Sequence, residues 1–202
     1  MGILFVISGP SGVGKGTIRE ALLARASDIA DSISATTREP RSGEIPGKDY
    51  FFLNEPDFCK LIEQDMLLEW AEVYGKFYGT PRDFVMETLA DGRDVLLEID
   101  VQGARQVKAK MPEGVYIFIS PPSAEELEAR IKARGKDSSE SIARRMIAFR
   151  DEMTFLPGYD YEVVNDDLET AINKVVAIVT AERCRIKNNY LGSDIFDPTV
   201  YS

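Results

Sequence analysis

Apolar residues run without interruption through 3–7 (Ile-Leu-Phe-Val-Ile) and 115–119 (Val-Tyr-Ile-Phe-Ile), and nearly so through 95–100 (Val-Leu-Leu-Glu-Ile-Asp). Continuous runs of this length suit strands covered on both faces, and residues 161–164 are predicted as a fourth. Between them the pattern turns helical, over 17–25, 82–90, 102–110 and 167–185. In the last of these Leu168, Ile172, Val175, Val176 and Val179 recur at helical spacing. Strands separated by helices imply right-handed crossovers, a parallel sheet and helices on both its faces, which is an α/β fold in three layers.

Two stretches break the alternation. Residues 32–37 alternate as a strand, Arg38 to Gly43 is basic and turn-rich, and 50–53 returns to strand. A short helix over 57–64, strands over 67–74 and 77–79, and the helix over 82–90 lead back to the main pattern. The second stretch pairs two strongly charged helices, 123–134 and 138–152, joined at Gly135 and carrying Arg130, Arg134, Arg144, Arg145 and Arg150. The expected division is a core of 1–32, 84–122 and 153–202, an insertion over 33–83, and a helical lid over 123–152. Residues 188–202 are mixed and turn-prone and suggest no role.

Directly after the first strand stands Gly9-Pro10-Ser11-Gly12-Val13-Gly14-Lys15-Gly16-Thr17. Strand, glycine loop, helix is the order of a phosphate-binding loop: glycines let successive N–H groups converge on an anion, backed by the positive end of the helix dipole. Lys15 reaches the outer phosphates as a point charge. The usual pattern places Ser or Thr directly after the lysine, whereas here Gly16 intervenes and the hydroxyl arrives with Thr17. Either Thr17 approaches Mg²⁺ or the ion keeps more of its waters.

Composition narrows the chemistry. The chain has 202 residues, 44% of them hydrophobic, enough for one sizeable core. A formal net charge of -10 argues against a general nucleic-acid or anionic-membrane surface, so an anionic ligand must be held by local arginine and lysine clusters. With no histidine, and with Cys59 and Cys184 far apart, histidine-based triads and the common zinc sites are excluded. The first residues lack the pattern of a signal peptide or a myristoylation site, and no stretch has the length of a membrane span. A cytoplasmic protein is expected.

Glu98 and Asp100, two apart in a predicted strand, are expected on one face, and Asp100 stands where an acidic residue can order the water around Mg²⁺. A structural ion pair is the plainer reading of each. Arg38, Arg41, Tyr50 and Tyr78 could form a second anion site, since the guanidinium fork takes phosphate oxygens in pairs and a phenol adds a directed O–H. The plainer alternatives are a solvated loop for the arginines and core packing for the tyrosines.

From Ile3 to about Arg185 the chain resembles guanylate kinase. The resemblance rests on Ser8 to Thr17, Ser34-Ala35-Thr36-Thr37-Arg38-Glu39-Pro40-Arg41-Ser42-Gly43-Glu44, Gly47-Lys48-Asp49-Tyr50, Tyr78-Gly79-Thr80, Ile99-Asp100-Val101-Gln102-Gly103 and Val164-Asn165-Asp166-Asp167-Leu168. It implies a phosphate-loop core with an inserted nucleoside-monophosphate-binding subdomain. Ser34, Arg38, Arg41, Tyr50 and Tyr78 would hold the GMP phosphate side, and Glu69 would take the guanine edge with Ser34 and Thr80 near its carbonyl. Arg130, Arg134 and Arg145 would reach ATP phosphates, Asn165 would lie near the ATP base, and Glu98 would replace the family's usual guanine-contacting aspartate.

The implied reaction moves the γ-phosphoryl group of ATP to GMP, with Mg²⁺, giving ADP and GDP; dGMP is a further candidate acceptor. Lys15, Arg38, Arg134 and Arg145 are the expected catalytic group. A monomer or homodimer with small-molecule partners, and neither nucleic acid nor membrane, is expected. Guanine suits Glu69 because N1–H and the amino group both donate, whereas adenine turns an acceptor toward the same carboxylate. An acceptor phosphate is already ionised, so the lack of histidine is no obstacle. Three other readings share parts of the pattern. Asp100-Val101-Gln102-Gly103 satisfies the D-x-x-G of GTPases, but Asn173-Lys174-Val175-Val176 fails N-K-x-D. A kinase for another nucleotide would not need Glu69 with Thr80. A binding module on the same fold would not need its loop lysine and glycines.

Overall fold

The computed structural model describes residues 1–73, 75–133 and 138–186. In chain order the elements are β1 (Leu4–Ser8), α1 (Lys15–Arg25), β2 (Ala30–Asp31), β3 (Ala35–Thr36), β4 (Phe51–Phe52), α2 (Glu55–Glu63), β5 (Leu67–Val73) and β6 (Lys76–Pro81). Then follow α3 (Arg82–Ala90), β7 (Val95–Glu98), α4 (Val101–Lys110), β8 (Val115–Ser120), α5 (Ala124–Ala133), α6 (Ser139–Met153), a 3-10 turn (Leu156–Gly158), β9 (Tyr161–Val164) and α7 (Leu168–Arg183).

β1 lies at the centre of a five-stranded sheet, β2-β7-β1-β8-β9, whose pairings are all parallel. Its five residues are buried, as an unbroken apolar run requires of a doubly covered strand. Alternate side chains part to opposite faces. Phe5 and Ile7 join Ile18 and Leu22 of α1 and Val175 of α7, while Leu4 and Val6 join Val85 and Leu89 of α3 and Val107 of α4. Each such side chain contributes about 1.5–3 kcal/mol by leaving water. Both layers therefore tie the loop after β1 to the best-packed part of the molecule.

A second sheet, β4-β3-β6-β5, is built from residues between β2 and α3, with β3 and β4 parallel and the other pairs antiparallel. Its small core is Ala35, Phe58 and Leu67, with Phe58 stacked on Phe77 at 5.6 Å. Two α4 side chains clamp β5 on either side of Glu69: Gln106 exchanges hydrogen bonds with the Trp70 backbone (2.6 and 3.2 Å), and Lys110 Nζ donates to the Leu68 carbonyl at 2.7 Å.

Several predicted elements change their limits. The strands expected over 32–37 and 50–53 shrink to two residues each, because the basic turn-rich stretch between them leaves the ladder early. The last residue of the strand expected over 67–74 lies outside the described residues. β2 was not predicted, being two half-buried residues without periodicity. The strand over 95–100 ends at Glu98. Asp100 is instead the N-cap of α4, its side chain accepting from the Gly103 N–H at 2.8 Å, so the two carboxylates do not share a strand face. A carboxylate that satisfies a first-turn N–H stabilises helix initiation more than strand continuation.

Candidate active site

The loop after β1 turns into α1 through Gly14, which is the helix N-cap at φ 103°. Only glycine takes that conformation without strain, and a Cβ there would also lie 2.7 Å from the Asn165 side-chain nitrogen. Gly9 and Gly12 also have positive φ. Gly16 does not, and Thr17 is exposed in the first turn of α1. Lys15 folds back along the loop, its Nζ donating to the carbonyls of Gly9 (2.5 Å) and Pro10 (3.0 Å).

Asn165 lies beneath this loop. Buried at the end of β9, it donates from Nδ2 to the Val13 carbonyl at 2.8 Å and from its backbone N–H to Ser120 at 2.8 Å. Its own carbonyl accepts from Arg130 Nη1 at 2.9 Å, and Arg130 Nε also donates to Glu126 at 2.9 Å. Its amide supports the loop's backbone. From α6, Arg145 Nη1 donates to Ser11 Oγ at 3.0 Å. Arg134 lies outside the described residues.

The acidic residues fall into two corners. Glu98, at the end of β7, faces the loop: a Cβ on Gly16 would lie 3.7 Å from its Oε2. Burial raises its carboxyl above the usual range, while Lys15 and then Arg19 oppose the shift. Arg19 in turn holds Asp31 through Nε at 2.8 Å. The other corner holds Glu69, 4% exposed, which accepts from Thr80 Oγ1 at 2.6 Å. Its Oε2 presses on Gly103, where a Cβ would lie 2.6 Å away. Burial pushes this carboxyl up to about 7, opposed by the Thr80 hydrogen bond and reinforced by the charge of Asp100. Glu98 thus sits beside the loop lysine, and Asp100 lies within the field of Glu69.

The basic set belongs to the second sheet and the turn between β3 and β4. Arg38 is neither solvated nor isolated: Nη1 and Nη2 each donate to one oxygen of Glu44 at 2.9 Å, and its guanidinium lies 5.3 Å from the Tyr50 ring centroid and 5.8 Å from that of Phe52. The Arg38 fork holds the Glu44 carboxyl below its usual range. Tyr50 and Tyr78 meet edge to face at 6.1 Å and stay half-buried, so neither is core. Burial and then the charge of Glu98 raise the Tyr50 phenol, so the second sheet and the loop share one electrostatic site. Arg41 is exposed, and half-buried Ser34 accepts from the Phe51 N–H at 2.9 Å through its carbonyl.

Two residues escaped sequence reasoning. Glu44 stood within a quoted motif without a role, although a carboxylate six residues after an arginine in a glycine-rich turn can fold back onto it. Glu152, on α6, is pushed up to about 7 by burial, opposed by Lys15 and reinforced by Asp100. Its seven-residue spacing from Arg145 puts both on one helix face and was a legible signal. Among the described residues there is no group of three or more His, Cys, Asp or Glu that could hold a metal. Mg²⁺ would therefore take few protein ligands, with Thr17 and the nearby carboxylates as candidates and phosphate and water oxygens completing the shell.

The guanylate kinase family model matches residues 1–182. Guanylate kinase of Syntrophomonas wolfei is 58% identical over 187 residues, covering 93% of this chain and 96% of the relative. That of Caldanaerobacter subterraneus is 54% identical over 188 residues, covering 93% and 91%. The crystal structure of guanylate kinase from Anaplasma phagocytophilum superposes with a TM-score of 0.77 at 36% identity, covering 91% of this chain and 87% of that one. Loop, double sheet and sequence agree, and the chain belongs to the guanylate kinase family.

Proposed function

We propose that the two corners and the basic set carry out transfer of the γ-phosphoryl group of ATP to GMP, releasing ADP and GDP. The single observation that carries the reading is the Glu69–Thr80 pair, a buried carboxylate and a hydroxyl adjacent on paired strands: Glu69 matches the donor edge of guanine, and the Thr80 O–H, given to Glu69 in this structure, would turn to the guanine carbonyl when the base takes the carboxylate. Ser34 and Asp100 complete the guanine side. Arg38, Arg41, Tyr50 and Tyr78 take the acceptor phosphate. The loop from Gly9 to Thr17 cradles the ATP phosphates with its backbone N–H groups, while Pro10, which has no N–H, and Val13, whose N–H turns to the Pro10 carbonyl, give the loop its shape.

Lys15, Arg130, Arg134 and Arg145 cancel the repulsion between the two anions and align them, which is the main task when the nucleophile is already ionised. Asn165 serves ATP by holding the loop. Bound Mg²⁺ would neutralise charge on the transferring group; Thr17, Glu98 and Asp100 are its neighbours, through water where they do not touch it. α5 and α6 shield the reacting phosphates from water. No helix among the described residues is long and apolar enough to cross a membrane, and a cytoplasmic setting fits the free thiols Cys59 and Cys184.

The test is ADP release with ATP, Mg²⁺ and each nucleoside monophosphate in turn, dGMP included. GMP should be turned over far faster than AMP or UMP. Equal turnover of AMP overturns the guanine assignment.

A further inference from the structure

We infer that Glu44 is a positioning residue for the acceptor phosphate, acting through Arg38; this rests on the reading of Arg38 as a ligand of that phosphate. A guanidinium has five N–H donors. Arg38 Nη1 spends both of its own, on the Glu39 carbonyl at 2.6 Å and on Glu44 Oε2 at 2.9 Å, and Nη2 spends one on Glu44 Oε1 at 2.9 Å. The two not spent on Glu39 and Glu44, Nε–H and the second Nη2 N–H, are parallel and lie along one edge of the plane, and the Tyr78 side chain is a further hydrogen-bond partner of the guanidinium. That edge is the side-on fork which takes two oxygens of one phosphate. Glu44 thus fills the end of the guanidinium and leaves its side to Tyr78 and to the phosphate that both groups would hold.

The carboxylate itself is anchored. Oε2 also accepts from the Arg41 N–H at 2.7 Å, and the Glu44 N–H donates to the Arg41 carbonyl at 3.1 Å, closing the turn at both ends. The side chains of Arg38 and Glu44 are 14% and 19% exposed, and the Tyr50 ring faces the guanidinium. A side chain tied to two partners is a brace. A gate that swung aside for phosphate would have to break three hydrogen bonds.

The test measures KM for GMP and for ATP separately, with melting temperature, in E44Q, E44A, R38A and the R38A/E44A double variant. Glutamine keeps the shape of Glu44 and guards against a fold lost in E44A. E44Q and E44A should raise KM for GMP about tenfold, leave KM for ATP unchanged, with the melting temperature kept in E44Q, and have no further effect on KM for GMP once Arg38 is absent. A lower KM for GMP in E44Q would mean that Glu44 competes with the phosphate, and overturns the inference. So does an equal rise in both KM values, or a full E44A effect in the R38A background. An R38A enzyme with unchanged KM for GMP instead removes Arg38 from the acceptor site, and the inference with it.

Discussion

Thr80 Oγ1 donates a 2.6 Å hydrogen bond to Glu69 Oε1 in a corner that also holds the charge of Asp100, so the carboxylate is kept ready to ionise at a place that resists ionisation. With its carboxyl up at about 7, Glu69 is partly protonated near neutral pH, whereas two donors of guanine require it ionised. GMP affinity should therefore fall as pH drops below 7, toward tenfold per unit, and binding near pH 7 should release a proton. Asp100 and Lys110 are the charged groups acting on Glu69. Calorimetry of GMP binding to wild type and E69Q checks this: the difference between them removes the titration of the nucleotide's own phosphate, and a pH-independent difference refutes it.

The same group bears on stability with the opposite sign to a salt-bridged carboxylate. Its folded value lies above the ordinary 4.5, so its protonation favours the fold fully at pH below 4.5, and this contribution is lost as pH rises through 7. E69Q should gain melting temperature relative to wild type between pH 6 and 8. Melting curves at the two ends of that range decide it.

Lys15 Nζ donates to the Gly9 and Pro10 carbonyls within the loop and its charge acts on Glu98 and Glu152, so K15A should lower kcat by about 10²–10³, more than any loss of folded enzyme accounts for. Coupled ADP-release kinetics together with a melting curve separate the two effects. An enzyme with undiminished turnover would remove Lys15 from the mechanism.

N165A leaves the buried Val13 carbonyl without its donor, at a cost of about 1–3 kcal/mol. Because the loop then loses its support, KM for ATP should rise while the preference for ATP over GTP stays the same. A changed preference would show that Asn165 touches the base after all.

G103A improves the helix propensity of α4 but drives a methyl against Glu69 Oε2, where a Cβ would stand 2.6 Å away. KM for GMP should rise with little change in KM for ATP, measured by varying each substrate at saturating levels of the other.

Local sequence determined the framework because its causes are local. The unbroken apolar run over 3–7 calls for a strand buried on both faces, and the glycines with Lys15 build an anion cradle from their own φ and ψ. Arg38, Tyr50, Tyr78, Glu69 and Thr80 could be singled out by type and motif. Their partners could not. Whether Asp100 continues a strand or caps α4 depends on competition for the Gly103 N–H, and which carboxylate faces Lys15 follows from where β7 stops. That Asn165 braces a loop 152 residues away, and that Glu69 rests on Gly103, are consequences of β9 meeting β8 and α4 meeting β5. Burial and pairing of charges are long-range properties, and only the folded chain brings those groups within reach of one another.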